Sequence, residues 1–418
     1  MRSEFTLDAR SRAIVCDERL VTSSHRVRRM REIMDADADA DADADATALA
    51  LARAPTTWTP MIMFRLDVVV ILIDWFITLV VRHWRIHWGG SRVAATGCVA
   101  RVPTWLDARA SVNALGALVT GWSSGLGRST ALALARAGFV VVLGYRVGEM
   151  DAARELARAI EGERGEARVE FVGPLDVTKE KDIASMSFKG VRARGVDVVV
   201  VVHCAGVFEV ERARGGGDGA AAVNFRGAVA TTKRVLDEMS FGDDGLGLDG
   251  TAGEFGMRNV RVVFVGSFTH ECGTARALSL GAFERWLAAY GTSPRYYNPA
   301  VNYMWSKVAV CAYAAYAHEE WMTKYGGRVS AVVVDPGLID TRLVRGWPIA
   351  MQRAFRFVGK TLGLMQSPDE AAIGVVRAVC LAPGDPTCPL VYGPAGVRVR
   401  ESYWMRNGKS AVAKYFSA

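Results

Sequence analysis

The sequence predicts an α/β domain built on a doubly wound parallel sheet, and three observations support this prediction. An apolar run at 114–119 leads into a glycine-rich turn at 120–127, and a helical stretch follows at 128–138. A second apolar run at 139–144 comes next, which completes the order strand, turn, helix, strand. Further short apolar runs, typical of buried parallel strands, occur at 169–172, 197–202, 261–265, 329–334 and 389–392. We expect this domain to span residues 112–400.

Composition restricts the function classes. The chain has 418 residues, which is enough for one large domain with extensions. Its net charge of +7 is only mildly basic, and its later Arg and Lys residues are scattered rather than gathered with aromatic residues, so no nucleic-acid partner is expected. The 7 cysteines lie far apart and form no Cys-x-x-Cys pair, which indicates a reducing compartment and predicts no metal site.

Residues 1–57 are predicted to form a disordered, low-complexity segment. From 35 to 46 the chain alternates strictly between Asp and Ala, and a row of like charges repels itself. The basic cluster at 26–31 would suit an organelle-targeting peptide, but the acidic residues before it, such as Asp17 and Glu18, are unusual in one.

Residues 58–90 are predicted to contain a membrane anchor helix. The apolar run at 68–81 is shorter than the roughly 20 residues of a full span. Asp74 at its centre would cost about 2.5–3.5 kcal/mol in hydrocarbon. The flank is typical of a membrane interface, with Arg82, Trp84, Arg85 and Trp88.

This pattern leaves three alternatives open: a spanning helix, a re-entrant or surface-lying helix, and a soluble core helix. The third is disfavoured because the motifs downstream make a complete unit without this segment. We therefore expect membrane association. The basic flank predicts that the rest of the chain lies on the cytosolic side, at the endoplasmic reticulum or another organelle membrane.

The glycine turn is typical of a dinucleotide site, because its backbone N–H groups and the following helix N-terminus face a pyrophosphate. The second strand is followed by Arg146 and by no acid that would bind the ribose 2′-hydroxyl of NAD(H). NADP(H) is therefore the preferred cofactor, with NAD(H) as the alternative. Asp176 is expected to receive the adenine amino group, to cap the next helix, or both. The cofactor-binding residues of the turn are Thr120, Gly121, Ser123, Ser124, Gly125, Leu126 and Gly127.

Tyr303 and Lys307 are four residues apart and therefore lie on one side of a helix. An ammonium group beside a phenol is expected to lower the phenol pKa, which is about 10 when unperturbed. Tyr303 could then give or take a proton near neutral pH. Ser267 follows the strand at 261–265, where the carboxyl end of a parallel strand faces the ligand crevice.

Taken in this order, the motifs resemble the short-chain dehydrogenase/reductase family, which has a Rossmann fold. Residues 120–127 match its Thr-Gly-x-x-x-Gly-x-Gly motif, and Tyr303 with Lys307 matches its catalytic pair. The resemblance implies a catalytic set of Asn224, Ser267, Tyr303 and Lys307. It also implies further cofactor contacts from Ala205, Gly206, Tyr303, Lys307, Pro336, Gly337 and Thr341.

Some features depart from the family pattern. His203 and Cys204 stand where the family usually has two asparagines, and Trp122 is unusual in the glycine loop. The long insertion before Tyr303 resembles the retinol-dehydrogenase-like and WW-domain-oxidoreductase-like branch. His270 in that insertion is expected to be a structural or surface residue rather than a catalytic one.

These observations predict an NAD(P)-dependent oxidoreductase that interconverts a carbonyl and an alcohol, with Tyr303 as general acid and base. Apolar side chains of the insertion, such as Phe283 and Trp286, and others after the Pro-Gly turn, such as Trp347 and Phe355, would border the substrate or simply pack as a lid. The first interpretation favours a small lipophilic substrate. The alternative function is a membrane-associated NADP(H)-binding sensor or scaffold with little or no turnover. The oligomeric state stays open.

Overall fold

The computed structural model describes residues 66–88, 103, 105–106, 113–164, 168–209, 219–240, 259–277, 279–288, 298–382, 391–392 and 403–417. The expected disordered segment at 1–57 lies outside these residues.

A seven-stranded parallel sheet, ordered β3-β2-β1-β4-β5-β6-β9, forms the centre of the domain. Its strands are β1 (Ala114–Thr120), β2 (Val140–Gly144), β3 (Val169–Val172), β4 (Val196–His203), β5 (Val260–Val265), β6 (Val329–Val334) and β9 (Val391–Tyr392). A separate parallel pair is formed by β7 (Leu338–Ile339) and β8 (Met365–Gln366). The strand order reverses between β1 and β4, which opens a ligand crevice at their carboxyl ends. The predicted doubly wound α/β fold is confirmed.

Helices cover both faces of this sheet. They are α1 (Leu66–Trp88), α2 (Gly125–Arg136), α3 (Met150–Arg164), α4 (Glu180–Ser185), α5 (Lys189–Ala193), α6 (Ala228–Ser240), α7 (Gly273–Ala277), α8 (Leu280–Ala288), α9 (Pro299–Lys324), α10 (Ile349–Thr361), α11 (Pro368–Cys380) and α12 (Tyr403–Ser417). One core cluster joins the sheet to α1, α9 and α12, and a second joins it to α2, α3 and α11.

The helix that carries Tyr303, α9, begins where the Asn298 side chain accepts hydrogen bonds from the N–H groups of Ala300 and Val301. It is buried over most of its length because the sheet covers one side and α12 packs on another. Trp404 of α12 is fully buried against the ring of Trp305.

The insertion before Tyr303 joins the same aromatic cluster. The Phe283 ring lies 5.3 Å from the Trp305 ring and 5.4 Å from the Trp404 ring, measured between centroids. The interpretation that Phe283 and Trp286 border the substrate is therefore wrong, because neither lines the cavity and both pack in this cluster. The packing of α12 against α9 was not predicted from the sequence.

Helix α1 packs along the domain through one face. Val68, Ile71, Trp75 and Leu79 are 0–9% exposed. Asp74 accepts hydrogen bonds from backbone N–H groups at the start of α7, at 3.1 Å from Gly273 and 2.7 Å from Thr274. The buried face of α1 packs on the core, as in the disfavoured alternative, because the charged residues of α1 find partners in the domain, while its opposite face is exposed.

None of the helices in the described part of the chain has the length and apolarity that a membrane crossing needs.

Candidate active site

The glycine turn after β1 forms a cradle that only glycine fits. Gly121 and Gly125 have positive φ angles of 68° and 52°, a region that side chains disfavour. A Cβ on Gly121 would lie 2.5 Å from the backbone nitrogen of Ala205, and a Cβ on Gly127 would lie 2.2 Å from the Gly121 carbonyl oxygen. This close packing brings the N-terminus of α2 to the crevice, as a pyrophosphate requires. The cradle therefore fits a dinucleotide.

The structure brings every predicted cofactor-binding residue to one cavity of about 770 Å³. These residues are Thr120, Gly121, Ser123, Ser124, Gly125, Leu126, Gly127, Arg146, Asp176, Ala205, Gly206, Tyr303, Lys307, Pro336, Gly337 and Thr341. Thr341 lies over the turn, since a Cβ on Gly125 would be 3.0 Å from its methyl carbon.

At the adenosine end, Arg146 forms an ion pair with Glu149, which the sequence analysis missed. The Glu149 carboxylate also accepts a hydrogen bond from the Arg146 backbone N–H at 3.0 Å. Hydrogen bonding to Arg146 lowers the pKa of Glu149, although partial burial opposes this. An acid therefore does lie next to the second strand. A Glu three residues beyond Arg146 is the signal that could have revealed it.

Asp176, also at the adenosine end, is bound by Thr178 and lies 3.7 Å from the Lys179 ammonium. Its side chain accepts hydrogen bonds from the Thr178 backbone N–H at 3.0 Å and from the Thr178 hydroxyl at 2.7 Å. It thus closes a turn ahead of α4 rather than capping that helix, whose N-cap residue is Lys179.

Ser267, Tyr303 and Lys307 line the cavity together. A hydrogen bond joins the side chains of Ser267 and Tyr303. Lys307 donates from Nζ to the Val265 carbonyl oxygen at 2.8 Å, and Nζ lies 5.8 Å from the centre of the Tyr303 ring. The arrangement places two hydroxyl groups and one ammonium at the carboxyl end of β5.

Burial governs the pKa values of this group. It raises the pKa of Tyr303, which the Ser267 hydrogen bond opposes, and it lowers the pKa of Lys307 to about 8. The expectation that Lys307 lowers the pKa of Tyr303 is wrong for this geometry. The reason is that the ammonium is directed at a carbonyl oxygen while the phenol lies in a pocket screened from water.

Asn224 lies in a π-helical turn, Ala221–Gly227, and is buried. Its side-chain oxygen accepts from the Val207 N–H at 2.8 Å, and its side-chain nitrogen donates to the Val207 carbonyl and the Ser306 hydroxyl at 3.0 and 2.9 Å. The Asn224 side chain therefore connects the segment after β4 to helix α9. It does not line the cavity itself.

The Pro-Gly turn after β6 is held by the fully buried Asp335, whose side chain accepts a hydrogen bond from the Gly337 N–H at 2.9 Å. Arg82 of α1 forms an ion pair with Asp335 across 253 positions of sequence and also lies 3.6 Å from Glu271. Helix α1 thus supplies the counter-charge beneath the turn. Sequence reasoning placed Arg82 at a membrane interface instead.

Aromatic side chains surround Tyr303 on the substrate side. Its ring lies 5.2 Å from that of Phe208 and 5.9 Å from that of Trp75. Trp75 also meets Phe268 edge-on at 6.3 Å, and Phe208 meets Trp347 at 5.4 Å. Four residues of α1 line the cavity: Leu72, Trp75, Phe76 and Leu79.

Comparison with known proteins agrees with this geometry. Residues 116–248 match the family model described as short chain dehydrogenase. The polyprenol dehydrogenase of Mus musculus is 32% identical over 266 residues, which cover 63% of this chain and 70% of that protein. This chain belongs to the short-chain dehydrogenase/reductase family. It is therefore an oxidoreductase that acts on an alcohol/carbonyl pair, and its family binds NAD(P)(H).

Two further matches are more distant. The polyprenol dehydrogenase of Homo sapiens is 28% identical over 268 residues, covering 61% of this chain and 69% of that protein. A solved dehydrogenase/reductase from Sinorhizobium meliloti 1021 aligns with 69% of this chain and 97% of its own, at 20% identity and a TM-score of 0.47.

The departures from the short-chain dehydrogenase/reductase pattern have structural explanations. Trp122 does not fill the cradle, since its ring is buried in the core and its indole N–H donates to the Gly144 carbonyl at 2.7 Å. His203 replaces an asparagine contact between strand and helix, because its Nε2 lies 2.6 Å from the Thr232 hydroxyl of α6. Burial lowers the pKa of His203 to about 3, so its ring is neutral.

His270 lies outside the reacting groups. It is buried, its Nδ1 hydrogen-bonds the Ser267 carbonyl oxygen, and it does not line the cavity. Its position fits the structural role expected from the sequence.

Proposed function

We propose that this enzyme uses NADP(H) to interconvert a long lipophilic alcohol and its carbonyl counterpart. The observation that carries the proposal is the aromatic wall around Tyr303, formed by Trp75, Phe208, Phe268 and Trp347. Such a wall suits an apolar chain better than a sugar or an acid. Two relatives are named polyprenol dehydrogenase, which supports an alcohol of the polyprenol class.

The proposed mechanism divides hydride and proton between cofactor and protein. When bound, NADP(H) supplies or accepts the hydride. The raised pKa of Tyr303 keeps its hydroxyl protonated at neutral pH, so this group is ready to protonate the carbonyl oxygen during reduction. Ser267 hydrogen-bonds the same oxygen as negative charge develops there. In the oxidative direction the deprotonated form of Tyr303 accepts the alcohol proton, after its own proton has left through Lys307.

Lys307 and Asn224 act in support of Tyr303. The Lys307 ammonium is held by the Val265 carbonyl beside Gly206, where it can bind the nicotinamide ribose. Asn224 holds the segment around Val207 against α9. A water on the Asn224 turn would replenish the Tyr303 proton through Lys307.

The preference for NADP(H) rests on Arg146, whose guanidinium lines the cavity at the end of β2. Its pairing with Glu149 orients the guanidinium and leaves further N–H donors for a 2′-phosphate. The proposed location, retained from the sequence, is a membrane with the catalytic domain on the cytosolic side.

The test is a turnover assay of the full chain at increasing substrate chain length, with NADPH or NADH for aldehydes and ketones and with NADP+ or NAD+ for alcohols. Tyr303→Phe is expected to lose about 10²–10⁴-fold in kcat while still binding NADPH. Tyr313→Phe is the matched control, since it makes the same change on α9 outside the cavity.

Two results would overturn the proposal. NADPH binding without turnover of any compound in the panel would indicate the sensor or scaffold alternative. Unchanged kcat for Tyr303→Phe would remove the assigned proton donor.

A further inference from the structure

Helix α1 carries a second apolar stripe on the face opposite its buried one. This outer stripe is 38–79% exposed and consists of Leu66, Val70, Ile73, Ile77, Val80 and Trp84. A helix on the surface of a water-soluble domain normally places polar residues there. The outer stripe of α1 contains no polar residue.

The charged residues of α1 between 66 and 84 are all directed at the domain. Asp67 accepts a hydrogen bond from Asn298 at 3.0 Å, Asp74 binds the start of α7, and Arg82 pairs with Asp335. Both faces of α1 are therefore apolar, and its charged residues bind partners within the domain.

Helix α10 has the same arrangement. Met351, Phe355 and Gly359 turn inward and line the cavity. Its outer apolar residues are 38–71% exposed: Ile349, Phe357, Val358 and, just after the helix, Leu362.

The two outer stripes meet around the mouth of the cavity. Phe76 of α1 and both Ala354 and Val358 of α10 are exposed and also line the cavity, which places them at its rim. Gly363, just after α10, lies beside α1, since a Cβ there would be 3.8 Å from the His83 ring. The apolar surface is thus continuous from one helix to the other.

The charge around this surface is positive. Between Asp340 and Asp369 the chain has no Asp or Glu. Arg342, Arg345 and Arg353 are exposed cations of this stretch, and the exposed Lys360 pairs with Asp340 at 2.6 Å. Apolar side chains within a cationic rim are typical of helices that lie in the headgroup region of an anionic bilayer. A second copy of the chain is a poorer occupant, because a symmetric contact would bring two cationic rims together.

We propose that the outer residues of α1 and α10, here called the docking face (Ile73, Ile77, Val80, Trp84, Ile349, Phe357, Val358 and Leu362), bind the surface of an anionic lipid bilayer. Both helices then lie in the plane of the interface, and the mouth of the cavity opens toward the lipid. Entry of substrate directly from the bilayer rests on the proposed function, whereas binding of the docking face to lipid does not.

The experiment is co-sedimentation of the full chain, without cofactor or substrate, with vesicles of phosphatidylcholine alone or mixed with phosphatidylserine. Wild type is expected to bind the mixed vesicles more tightly. The double variant Ile77→Glu and Phe357→Glu is expected to lose at least about 10-fold in vesicle affinity. Neither residue lines the cavity. Ile373→Glu, an exposed apolar residue of α11, is the matched control and is expected to bind like wild type.

Three outcomes would overturn the docking face: no vesicle binding by wild type, unchanged binding by the double variant, or a change of oligomeric state in the double variant by light scattering without vesicles. The last would indicate a second copy as the occupant. A chain that binds vesicles but turns over no alcohol overturns only the proposed function. A chain that turns over short alcohols in solution but ignores vesicles overturns only the docking face.

Discussion

The cofactor end and the substrate end of the cavity are built in different ways. The cofactor end is formed by turns that follow the strands, chiefly the turn between β1 and α2. It is lined mainly by backbone groups. The substrate end is assembled from side chains far apart in the chain, such as Trp75, Phe208 and Trp347. The cofactor end is thus formed by local sequence motifs, whereas the substrate end is formed by segments that are remote from one another in the sequence.

This difference indicates how the enzyme can keep one chemistry and change its substrate. The cradle and Tyr303 depend on the sheet and α9, whereas the aromatic wall also depends on α1 and on the segment from Leu338 to α10. Helix α1 touches both ends, since Trp75 faces Tyr303 and Arg82 supports the Pro-Gly turn. Four predictions would break or sharpen this comparison, from the largest expected effect to the smallest.

Removing the charge of Arg82 should have the largest effect. Arg82→Gln leaves Asp335 buried without its counter-charge, so we expect the free energy of unfolding to fall by about 3–5 kcal/mol. Arg136→Gln, which breaks the exposed pair with Glu163, should cost only about 0–1 kcal/mol. Denaturant titration of both variants measures the difference. Equal losses would mean that α1 is no part of the catalytic domain.

A methyl group in the glycine cradle should disable the cofactor end alone. Gly121→Ala collides with the backbone at Ala205 and carries a φ penalty of about 1–3 kcal/mol, so we expect cofactor affinity to fall by roughly 100-fold. Gly326→Ala is the control, because Gly326 also has a positive φ but nothing within 4 Å. Calorimetric titration with NADPH separates them. Equal affinities for the two variants would contradict the assigned cradle.

Replacing Trp75 should change which substrates the enzyme prefers and leave its cofactor affinity unchanged. For Trp75→Leu we expect kcat/KM to fall about 10-fold for long lipophilic alcohols and little for short ones, with unchanged NADP(H) affinity. Trp84→Leu makes the same change at an exposed position of α1 and should behave like wild type in a vesicle-free assay. A uniform loss across chain lengths would show that Trp75 only supports the fold.

The smallest effect is expected at the adenosine end. Arg146→Ala should reduce the preference for NADPH over NADH by about 10-fold, because a charge-assisted contact with the 2′-phosphate is lost. Arg154→Ala, whose residue makes an exposed pair with Asp151 at the same spacing, should leave the ratio unchanged. Steady-state kinetics with both cofactors measures the ratio. A preference of the wild type for NADH would indicate that Glu149, and not Arg146, selects the cofactor.

The sequence by itself determined the parts of this enzyme in which neighbouring residues dictate local geometry. The strands, the cradle and the Tyr303–Lys307 face of α9 follow from valine runs, glycine spacing and a four-residue interval, so they could be predicted without coordinates. Every predicted cofactor residue accordingly reached the same cavity.

Only the tertiary structure decided which partners the remote segments would meet. It placed Glu149 against Arg146, α12 over α9, and Arg82 against an aspartate 253 positions away. An apolar run such as 68–81 suits lipid and protein interior equally well, because both exclude water. The choice of surroundings for each face of α1 depends on the positions of Asn298, Thr274 and Asp335, which periodicity within α1 does not encode.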